Sequence, residues 1–561
     1  MKTILILGAG LMQRPAIEAA SRLGYKVAVA DGNPKAVCVP LADIFEPVDL
    51  KDREALLVFA RKLDEDARGD FGNLAGVFTA GTDFSASVSY VAENLKLPGH
   101  SFEAALNASD TVRMRSCFSK AGVPSPRFFN VTEEDAEKKA DEIMNKAGFS
   151  SFPLVIKPVD NMGGRGCRMV RSKEELSDAV KVAVQFSRTR RAILEEYMPG
   201  REFSIDSLVF DGEVTITGFA DRHIYYPPYF IEMGHTMPTV LDEKDWCALA
   251  ETFRNGIKAL GLTHGAAKAD IKLTPSGPMI GEIAARLSGG YMSGWTFPYA
   301  SGMNLTEQAL LLALGKKPEE LLSQRIRTPV DGVWNIKTEK TSAERAWLSI
   351  PGRIEKVAGL PTDGLPTSET AQNDAEKCGI IRDVLPRCFA GDTITFPVNN
   401  VGKCGNIISL SANYDEAVAA AENAIADIVP VLSPNNPETD AFLAAPLDTE
   451  FPPSAFVLPP ETVSALISEC KGKTLSSSEE VKLPEIISEY AENIKDWNKR
   501  SIKKTLDLFD GKNEPEKKNG NEGLKPSFSG MPLELFWTSL LRGGIQGILY
   551  EVSKYAGERN E

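Results

Sequence analysis

About the first 110 residues alternate between short apolar runs and stretches in which apolar residues recur at helical spacing. Continuous apolar runs predict buried strands, and the 3.6-residue spacing predicts amphipathic helices. The predicted strands are 4–7, 27–30 and 76–79, and the predicted helices are 15–23 and 53–63. Strands that alternate with helices in this way indicate a parallel α/β domain.

Beyond this region the pattern favours pairs of strands joined by turns. Thr132 can cap a helix and Asp135 follows three residues later, which predicts a capped amphipathic helix over 132–147. Asp211-Gly212 between two alternating runs is a strong hairpin signal. The other predicted elements are strands at 154–157, 167–171, 202–210, 214–220, 267–272 and 279–283, and a helix at 246–260.

The C-terminal part of the chain divides into a β-rich region and a less regular extension. Residues 316–435 are β-rich, and Pro-rich stretches at 434–437 and 451–460 mark a linker. Residues 511–528 are poor in apolar side chains and are expected to be disordered. The last segment, 532–555, is apolar at helical spacing and is expected to dock on the body of the protein or on a second subunit.

The composition narrows the class of protein. Hydrophobic residues make up 43% of the 561 residues and charged residues 25%, which is ordinary for a soluble globular protein. No long apolar run predicts a membrane span. The net charge of −14 disfavours a general nucleic-acid binder. Eight cysteines without a CxxC pair and four histidines argue against a disulfide framework or a zinc site. No signal-peptide pattern precedes the first strand, and a cytoplasmic location is expected.

The opening Gly8-Ala9-Gly10 raises the question whether the chain binds a dinucleotide. The fingerprint for such binding needs a third glycine, and Gln13 stands in its place. The Gln13 side chain would hinder the approach of a pyrophosphate to the helix. Asp31 could hold a ribose or could be an ordinary loop aspartate. An NAD-dependent oxidoreductase is therefore the less favoured alternative.

A glycine-rich loop in residues 152–170, FPLVIKPVDNMGGRGCRMV, is more specific. Lys157 closes a predicted strand and can supply a point charge to phosphate oxygens, and Arg165 can add another. Glycines in such a loop let backbone N–H groups turn toward an anion. They are Gly163, Gly164 and Gly166. A plain glycine-rich hairpin is the alternative for this stretch taken alone.

Carboxylates follow in an order that fits a nucleotide and its metal ion. Acidic residues in 193–206, ILEEYMPGREFSID, can accept hydrogen bonds from an adenine amino group or ribose hydroxyls. Asp270 and Glu282 lie near corresponding ends of adjacent predicted strands, which places two hard oxygen ligands together for Mg²⁺ on a polyphosphate. Arg286 could stabilise a developing phosphoryl charge. Ordinary solvation of strand ends is the alternative.

The order of three segments resembles that in the ATP-grasp superfamily of the carboxylate–amine ligase type, which includes L-amino acid ligase and biotin carboxylase-like enzymes. The segments are the glycine-rich loop with Lys157, the acidic stretch 193–206 and the stretch 266–290. The resemblance implies an α/β and α+β multidomain fold, with a Rossmann-like pre-ATP-grasp domain, an ATP-grasp fold of two α+β subdomains and a C-terminal extension. The implied parts are a pre-ATP-grasp domain (1–110), an ATP-grasp domain (111–315) with a mobile subdomain (about 112–192), a β-rich subdomain (316–435), and a linker with a helical extension of unknown role (436–561).

The resemblance also implies a role for each motif. Lys157 would contact the α- and β-phosphates of ATP, and the glycine-rich loop would close over them. Glu195 would contact the adenine amino group, and Glu202 would contact the ribose. The residues expected to bind ATP are Lys157, Asp160, Asn161, Gly163, Gly164, Arg165, Gly166, Glu195, Glu196, Tyr197, Met198 and Glu202. Asp270 and Glu282 would bind one or two Mg²⁺ ions, with Mn²⁺ as an alternative. Arg286 and Lys157 would be catalytic.

Three positions depart from the family pattern. Thr111 stands where a second phosphate-binding lysine is usual, so either Arg113 or Arg115 compensates or the affinity for the triphosphate is reduced. Ala284 stands where an asparagine usually completes a Glu-x-Asn metal pair, so one oxygen ligand is missing. Asp270 replaces a glutamate that is often found at that position.

The implied activity is ATP-dependent amide formation. A substrate carboxylate attacks the γ-phosphorus to give an acyl phosphate and ADP, and an amine then displaces phosphate. The expected substrates are an amino acid or small carboxylate and an amine, with neither nucleic acid nor membrane as a partner, and a homodimer is compatible with the C-terminal helix. Candidate substrate contacts are Arg222, His235, Ser288 and Gly289, although His235 is as readily explained as a structural histidine. A nucleotide-binding regulatory module without turnover is the other alternative.

Overall fold

The computed structural model describes residues 2–65, 73–361, 380–512 and 524–557. The chain forms two compact units. The first contains Met1–His223 and His235–Ser342, and the second contains Ile224–Gly234 and Ala343–Glu561. Within the described ranges, no helix is both long enough and apolar enough to cross a membrane.

The first unit begins with a parallel α/β domain, as predicted. Its elements are β1 (Thr3–Leu7), α1 (Arg14–Arg22), β2 (Lys26–Ala30), β3 (Ile44–Glu46), α2 (Arg53–Asp64), β4 (Leu74–Phe78), α3 (Ser85–Asn94), α4 (Phe102–Ser109) and α5 (Thr111–Ala121). The strands form a parallel sheet in the order β3-β2-β1-β4. Every residue of β1 is buried, which explains its continuous apolar run, because both faces of a parallel sheet are covered.

A four-stranded antiparallel sheet follows in the same unit. Its elements are β5 (Phe128–Val131), α6 (Glu133–Ala136), α7 (Ala140–Ala147), β6 (Leu154–Pro158), β7 (Arg168–Val170), α8 (Lys173–Phe186) and β8 (Ala192–Glu196). The strand order is β5-β8-β6-β7. The two predicted strands on either side of the glycine-rich loop are confirmed as β6 and β7, and they pair antiparallel.

The single helix predicted over 132–147 is wrong, because the chain forms two short helices there. The predicted capping box exists: Thr132 Oγ1 accepts from Asp135 N at 3.3 Å, and Asp135 Oδ2 accepts from Thr132 N at 3.1 Å. Lys139, however, has an extended backbone. Lys138 and Lys146 both donate to Asp135 Oδ1, at 2.9 and 2.6 Å. A buried carboxylate that holds both ammonium groups ties the second helix to the start of the first, and helical spacing does not reveal this.

The rest of the first unit is built around a mixed sheet, in which most neighbours are antiparallel and β10 pairs with β15 in parallel. Its elements are β9 (Arg201–Phe210), β10 (Glu213–Tyr225), β11 (Ile231–Met237), α9 (Glu243–Leu260), β12 (Gly265–Thr274), β13 (Gly277–Ala284), α10 (Phe297–Ser301), α11 (Leu305–Ala313), α12 (Glu319–Ser323), β14 (Arg325–Arg327) and β15 (Val333–Ile336). Strands β13, β12, β9 and β10 follow one another in the sheet. Both predicted hairpins, β9–β10 and β12–β13, are confirmed.

The second unit is a mixed β and α structure. Its elements are β16 (Thr341–Trp347), β17 (Gly352–Ala358), β18 (Ile381–Pro386), β19 (Thr393–Ile394), β20 (Gly405–Ser411), α13 (Tyr414–Asp427), β21 (Val429–Leu432), α14 (Pro437–Ala444), α15 (Pro460–Cys470), β22 (Thr474–Leu475), α16 (Ile502–Phe509), β23 (Met531–Pro532) and α17 (Leu533–Gly557). Strand β20 lies between β16 and β18, and β17 lies between β19 and β21.

The C-terminal helix α17 belongs to the core of the second unit. Trp537 and Ile548 of this helix are buried in the same apolar cluster as Ile350 and Ile425. The segment is helical as predicted, except for a kink at Gly544 (φ 59°, ψ −146°), and it docks on the body of this unit. The disorder expected over 511–528 falls largely on residues 513–523, which lie outside the described residues. The predicted domain limits stay predictions.

Candidate functional site

Lys157 lies in a buried ion network at the end of β6. Its Nζ is 2.9 Å from Glu195 Oε2, and the other carboxylate oxygen accepts from Arg115 Nε at 2.7 Å. Arg115 also donates to the Gly281 carbonyl at 2.6 Å, which links α5 to β13. The Arg115 side chain is 0% exposed and that of Glu195 3%, whereas Lys157 is 21% exposed. Only the lysine of this trio therefore offers charge to a ligand.

Two cations determine the ionisation of Glu195. Burial alone would raise the pKa of this carboxyl, but the charges and hydrogen bonds of Arg115 and Lys157 outweigh burial and lower the pKa below its ordinary value. Glu195 therefore acts as a counter-ion in the described structure. Its expected contact with an adenine amino group stays a prediction.

Both arginines that follow Thr111 pair with carboxylates of the protein. Arg113 pairs with Glu103 at the surface, and Arg115 pairs with the buried Glu195. The Thr111 hydroxyl donates to the Val159 carbonyl at 3.2 Å. Compensation by either arginine and a reduced affinity for a triphosphate both stay predictions.

The glycine-rich loop is anchored at its base. Asp160 accepts from Ser187 Oγ at 2.8 Å, and Asn161 Nδ2 donates to the Phe186 carbonyl at 2.7 Å. These side chains fasten the loop to the end of α8, and their predicted role in ATP binding stays a prediction. Three glycines have left-handed backbone angles, with φ of 70°, 75° and 72° at Gly163, Gly164 and Gly166.

The tip of the same loop contacts the α/β domain. Arg165 Nε donates to the Met162 carbonyl at 3.2 Å, and the Thr82 hydroxyl lies 3.9 Å from Met162 Sδ. Arg165 is thus turned back onto its own loop. Closure of this loop over a ligand stays a prediction.

The segment after β8 has the polar groups expected around a nucleoside. Lys272 Nζ lies 5.4 Å from the centre of the Tyr197 ring, 3.3 Å from the Met198 carbonyl oxygen and 3.3 Å from Glu202 Oε2. Glu196 accepts from the Arg127 backbone N–H at 2.9 Å and so faces away from this group. The structure therefore groups Tyr197, Met198 and Glu202 around one lysine and separates Glu196 from them.

Gly200 is required where this segment passes over β12. It has a φ of +123°, and a Cβ there would lie 2.1 Å from the Leu273 carbonyl oxygen. Gly200→Ala is therefore expected to destabilise the protein by about 1–3 kcal/mol, measured as the shift of the urea midpoint. Gly212→Ala is the control, because Gly212 also has a positive φ but no atom within 4 Å of the added carbon. Equal losses in both variants would show that backbone strain alone matters.

The two predicted metal ligands face each other. Asp270 of β12 is the direct cross-strand partner of Glu282 on β13. Arg222 Nη1 is 2.8 Å from Asp270 Oδ1 and 2.6 Å from Glu202 Oε1, so it joins the nucleoside group to the acidic pair. Lys268 Nζ pairs with Asp270 Oδ2. Arg222 thus pairs with the carboxylates predicted to hold ribose and metal, and its own predicted contact with substrate stays a prediction.

The acidic pair fits a divalent cation. Burial raises the pKa of Glu282, Lys268 lowers it, and the negative charges of Asp83 and Asp270 raise it further, with a net increase. A carboxyl in this situation is one that a cation stabilises in its charged form. Two carboxylate oxygens on paired strands are also the hard ligands that Mg²⁺ prefers.

Arg286 reaches the α/β domain. Its Nη2 is 3.0 Å from Asp83 Oδ1, and Nη1 donates to the Leu287 carbonyl at 3.1 Å. Burial lowers the pKa of Arg286, but the charges of Asp83 and Glu282 raise it more, and the net direction is upward. The guanidinium therefore stays charged beside the acidic pair, at a position where a substrate carboxylate can be held.

The remaining predicted substrate residues lie deeper. Ser288 Oγ donates to Asp206 Oδ2 at 2.6 Å, and both side chains are buried. Gly289 lies against Gly81, because a Cβ at Gly289 would be 3.4 Å from the Gly81 Cα atom. His235 is fully buried, with its Nε2 2.8 Å from the Thr296 hydroxyl. The structural role weighed for His235 is the one that this position favours.

The opening glycine motif is filled by protein. Gly10 N donates to Gln13 Oε1 at 2.9 Å, and a Cβ at Gly8 would lie 2.9 Å from Gln13 Cδ. Asp31 accepts from the Ala9 backbone N–H at 2.8 Å. The Gln13 carboxamide thus occupies the space beneath the glycines, and the Asp31 carboxylate binds the backbone of the glycine loop. Both observations disfavour the binding of a dinucleotide at this loop.

Four charged residues of this site are absent from the sequence prediction. Lys268 and Lys272 alternate with Asp270 along β12, and period-two spacing in 266–272 could have placed all three on one face. Asp83 and Asp206 meet Arg286 and Ser288 only through tertiary contacts. No local pattern marks them.

Two parts of the chain match known families. Residues 1–73 match the ribonucleotide synthetase preATP-grasp domain. Residues 150–294 match the ATP-grasp domain. The chain carries an ATP-grasp domain. The family and the fold class expected from the sequence are confirmed, and the matched ATP-grasp region includes Lys157, the glycine-rich loop, the acidic pair and Arg286.

Curated relatives of this ATP-grasp chain are distant. Carnosine synthase 1 of Gallus gallus is 26% identical over 379 residues, which cover 65% of this chain and 40% of the relative. Alanine–anticapsin ligase of Bacillus subtilis (strain 168) is 28% identical over 269 residues, which cover 43% of this chain and 55% of the relative. The chain spans about half the length of the curated relatives it matches.

Solved structures share the ATP-grasp fold. L-amino acid ligase from Bacillus licheniformis has a TM-score of 0.61 at 22% identity, and covers 77% of this chain and 99% of its own. The biotin carboxylase domain of Hydrogenobacter thermophilus 2-oxoglutarate carboxylase, in complex with MgADP, has a TM-score of 0.55 at 18% identity, and covers 76% of this chain and 90% of its own. ATP-grasp enzymes use ATP and Mg²⁺.

Proposed function

We propose that the chain is an ATP-dependent carboxylate–amine ligase that forms an amide through an acyl phosphate and releases ADP and phosphate. The observation that carries the proposal is the direct pairing of Asp270 with Glu282 beside Arg286. This arrangement lies in the same unit as Lys157 and the glycine-rich loop. Relatives whose names denote ligases and synthases support the same class of reaction.

The proposed chemistry needs no nucleophile from the protein. The substrate carboxylate attacks the γ-phosphorus of ATP, the bond to the β-phosphate oxygen breaks, and ADP leaves. The amine then attacks the acyl carbon, phosphate leaves with the electrons of the broken C–O bond, and the proton lost by the amine nitrogen passes to the departing phosphate. Lys157 neutralises the phosphates, and Arg286 orients the carboxylate and holds charge as the phosphoryl group transfers.

Asp270 and Glu282 would hold Mg²⁺ in this scheme. The ion, when bound, neutralises phosphate charge and polarises the transferring group. The nucleoside would be held by Tyr197, Met198 and Glu202. Lys272 and Arg222 would fix the position of the Glu202 carboxylate. Closure of the glycine-rich loop would exclude water, which hydrolyses an acyl phosphate.

The substrate class, location and assembly belong to the same proposal. We infer that the carboxylate comes from an amino acid or a small acid, since Arg286 can bind a carboxylate in the buried site. A cytoplasmic location is supported by the seven cysteines of the described ranges, which are all free. A homodimer stays an open alternative.

A nucleotide-binding module without turnover is the second candidate. It is favoured by Thr111, which stands where a second phosphate-binding lysine is expected, and by the pairing of the nearby Arg113 and Arg115 with carboxylates of the protein. Such a module would bind ATP and release no ADP.

ADP release separates the two candidates. Purified protein with Mg-ATP and pools of amino acids is expected to release ADP above the rate without amino acids, measured with a coupled assay. Glu282→Gln is expected to abolish this release, because it removes one charged ligand of the acidic pair. ATP binding without release in any pool would support the inactive module instead.

The control for this experiment is Glu251→Gln. Glu251 lies on α9 with a side chain 58% exposed, so its loss is expected to leave release and folding unchanged. Thermal unfolding of all three proteins, with ATP and with NADH separately, completes the test. Stabilisation by NADH alone would overturn the proposal in favour of an oxidoreductase.

A further inference from the structure

Lys268 lies on the side of the acidic pair where residue 284, an alanine, supplies no oxygen ligand. In the β12–β13 register Lys268 is the direct partner of Ala284, as Asp270 is of Glu282. Directly opposed residues on antiparallel strands have adjacent side chains. The methyl group of Ala284 therefore leaves room beside it, and the Lys268 side chain is the neighbour that can use this room.

The Lys268 ammonium is directed at the carboxylates. Residues 268 and 270 are two apart on one strand and so project from the same face. Lys268 Nζ pairs with Asp270 Oδ2, and its side chain is only 9% exposed. On the other side of β12, Lys268 is the cross-strand partner of Asp206.

Asp206 adds a further negative charge to this group. It is fully buried, and its Oδ1 atom has no hydrogen-bond partner among the described residues. Its Oδ2 atom accepts from Ser288. A buried carboxylate with an unpaired oxygen needs nearby positive charge, and Lys268 supplies it without a metal ion.

We propose that the ammonium of Lys268 takes the place of a second divalent ion, so that the site binds one Mg²⁺ per nucleotide. The inference rests on the proposed function, since it concerns the ion that would accompany ATP. One divalent ion would lie between Asp270 and Glu282. The position that needs an oxygen from residue 284 would be held by a fixed positive charge on the protein, which requires no ion from solution.

Counting bound Mn²⁺ tests this directly. Mn²⁺ replaces Mg²⁺ as the probe, and the non-hydrolysable ATP analogue AMP-PNP replaces ATP. Free Mn²⁺ is measured by electron paramagnetic resonance during titration of the full chain, and bound nucleotide is measured in parallel. The native chain is expected to bind one Mn²⁺ per AMP-PNP. Two Mn²⁺ ions per nucleotide would overturn the inference and leave the proposed function intact.

Two variants test whether Lys268 is the group that excludes a second ion. Ala284→Asn alone is expected to keep one Mn²⁺ per nucleotide, because Lys268 still fills the position. The double variant Lys268→Ala with Ala284→Asn is expected to bind two, because the ammonium is gone and the missing oxygen is restored. A double variant that stays at one ion while still binding AMP-PNP would overturn the inference.

A matched control removes a lysine of similar burial outside the site. Lys403 is 7% exposed and its Nζ donates to the Glu232 carbonyl at 2.8 Å, so Lys403→Ala is expected to keep one Mn²⁺ per bound nucleotide. The native count requires no variant, and it decides the question even where a variant fails to fold. A native chain that binds no AMP-PNP would overturn both this inference and the proposed function.

Discussion

Replacing Arg115 by methionine is expected to lower the free energy of unfolding by about 3–5 kcal/mol, because it leaves a buried carboxylate without one of its two cations. Glu195 has a side chain that is 3% exposed, and Arg115 is not exposed at all. Methionine keeps much of the length and apolar packing of arginine, so the lost charge should dominate the effect. The measurement is urea unfolding of the variant and the native protein.

Arg113→Met on the same helix is the control. Arg113 pairs with Glu103, but its side chain is 41% exposed and that of Glu103 is 72% exposed. An exposed ion pair contributes about 0–1 kcal/mol, so this variant is expected to unfold within that margin of the native protein. Equal destabilisation by both variants would contradict the role assigned to the buried pair.

The loss in Arg115→Met is also expected to depend on pH. In the native protein the pKa of Glu195 is lowered by Arg115 and Lys157 despite its burial. A carboxyl whose pKa is lower in the folded state stabilises the fold above its unfolded pKa, ordinarily about 4.3 for glutamate, and this contribution is lost as pH falls through the folded pKa. The difference between variant and native protein should therefore be largest near neutral pH and shrink in acid.

Strand pairing in this chain follows from local sequence. The short turn between β12 and β13 fixes their register, so the pairing of Asp270 with Glu282 could be predicted from two strand patterns and one turn. The glycine-rich loop is set in the same way by two adjacent strands and by glycines that tolerate left-handed angles. Motifs confined to one hairpin can therefore be predicted from the sequence.

Ion-pair partners that are distant in the sequence cannot be predicted in this way. Arg113 and Arg115 lie two residues apart on α5 and are equivalent in the sequence, yet one reaches the surface and the other a buried glutamate 80 residues away. Arg286 meets Asp83 across 203 residues. Both outcomes depend on how elements pack, and periodicity does not encode the direction of an individual side chain across elements.

Arg286→Lys is expected to reduce turnover by about 10²–10³-fold while nucleotide binding stays unchanged. Lysine keeps the positive charge, but it lacks the planar fork that lets Arg286 hold Asp83 and a carboxylate at the same time. The loss should appear in kcat for ADP formation, because the guanidinium is needed most where charge develops during phosphoryl transfer. Single-turnover assays with saturating Mg-ATP measure this step.

Arg325→Lys separates this effect from a general cost of losing a buried guanidinium. The side chain of Arg325 is 9% exposed, and that of Arg286 is 8% exposed. Arg325 lies on β14, and its Nη1 is 2.8 Å from Glu213 Oε2, outside the acidic pair. The two substitutions remove the same donors from similarly buried guanidinium groups, and only Arg286 adjoins Glu282. Comparable stability losses are therefore expected, whereas turnover should fall only in Arg286→Lys. A parallel fall in Arg325→Lys would mean that the activity reports folding, and Arg286 would then have no special part in phosphoryl transfer.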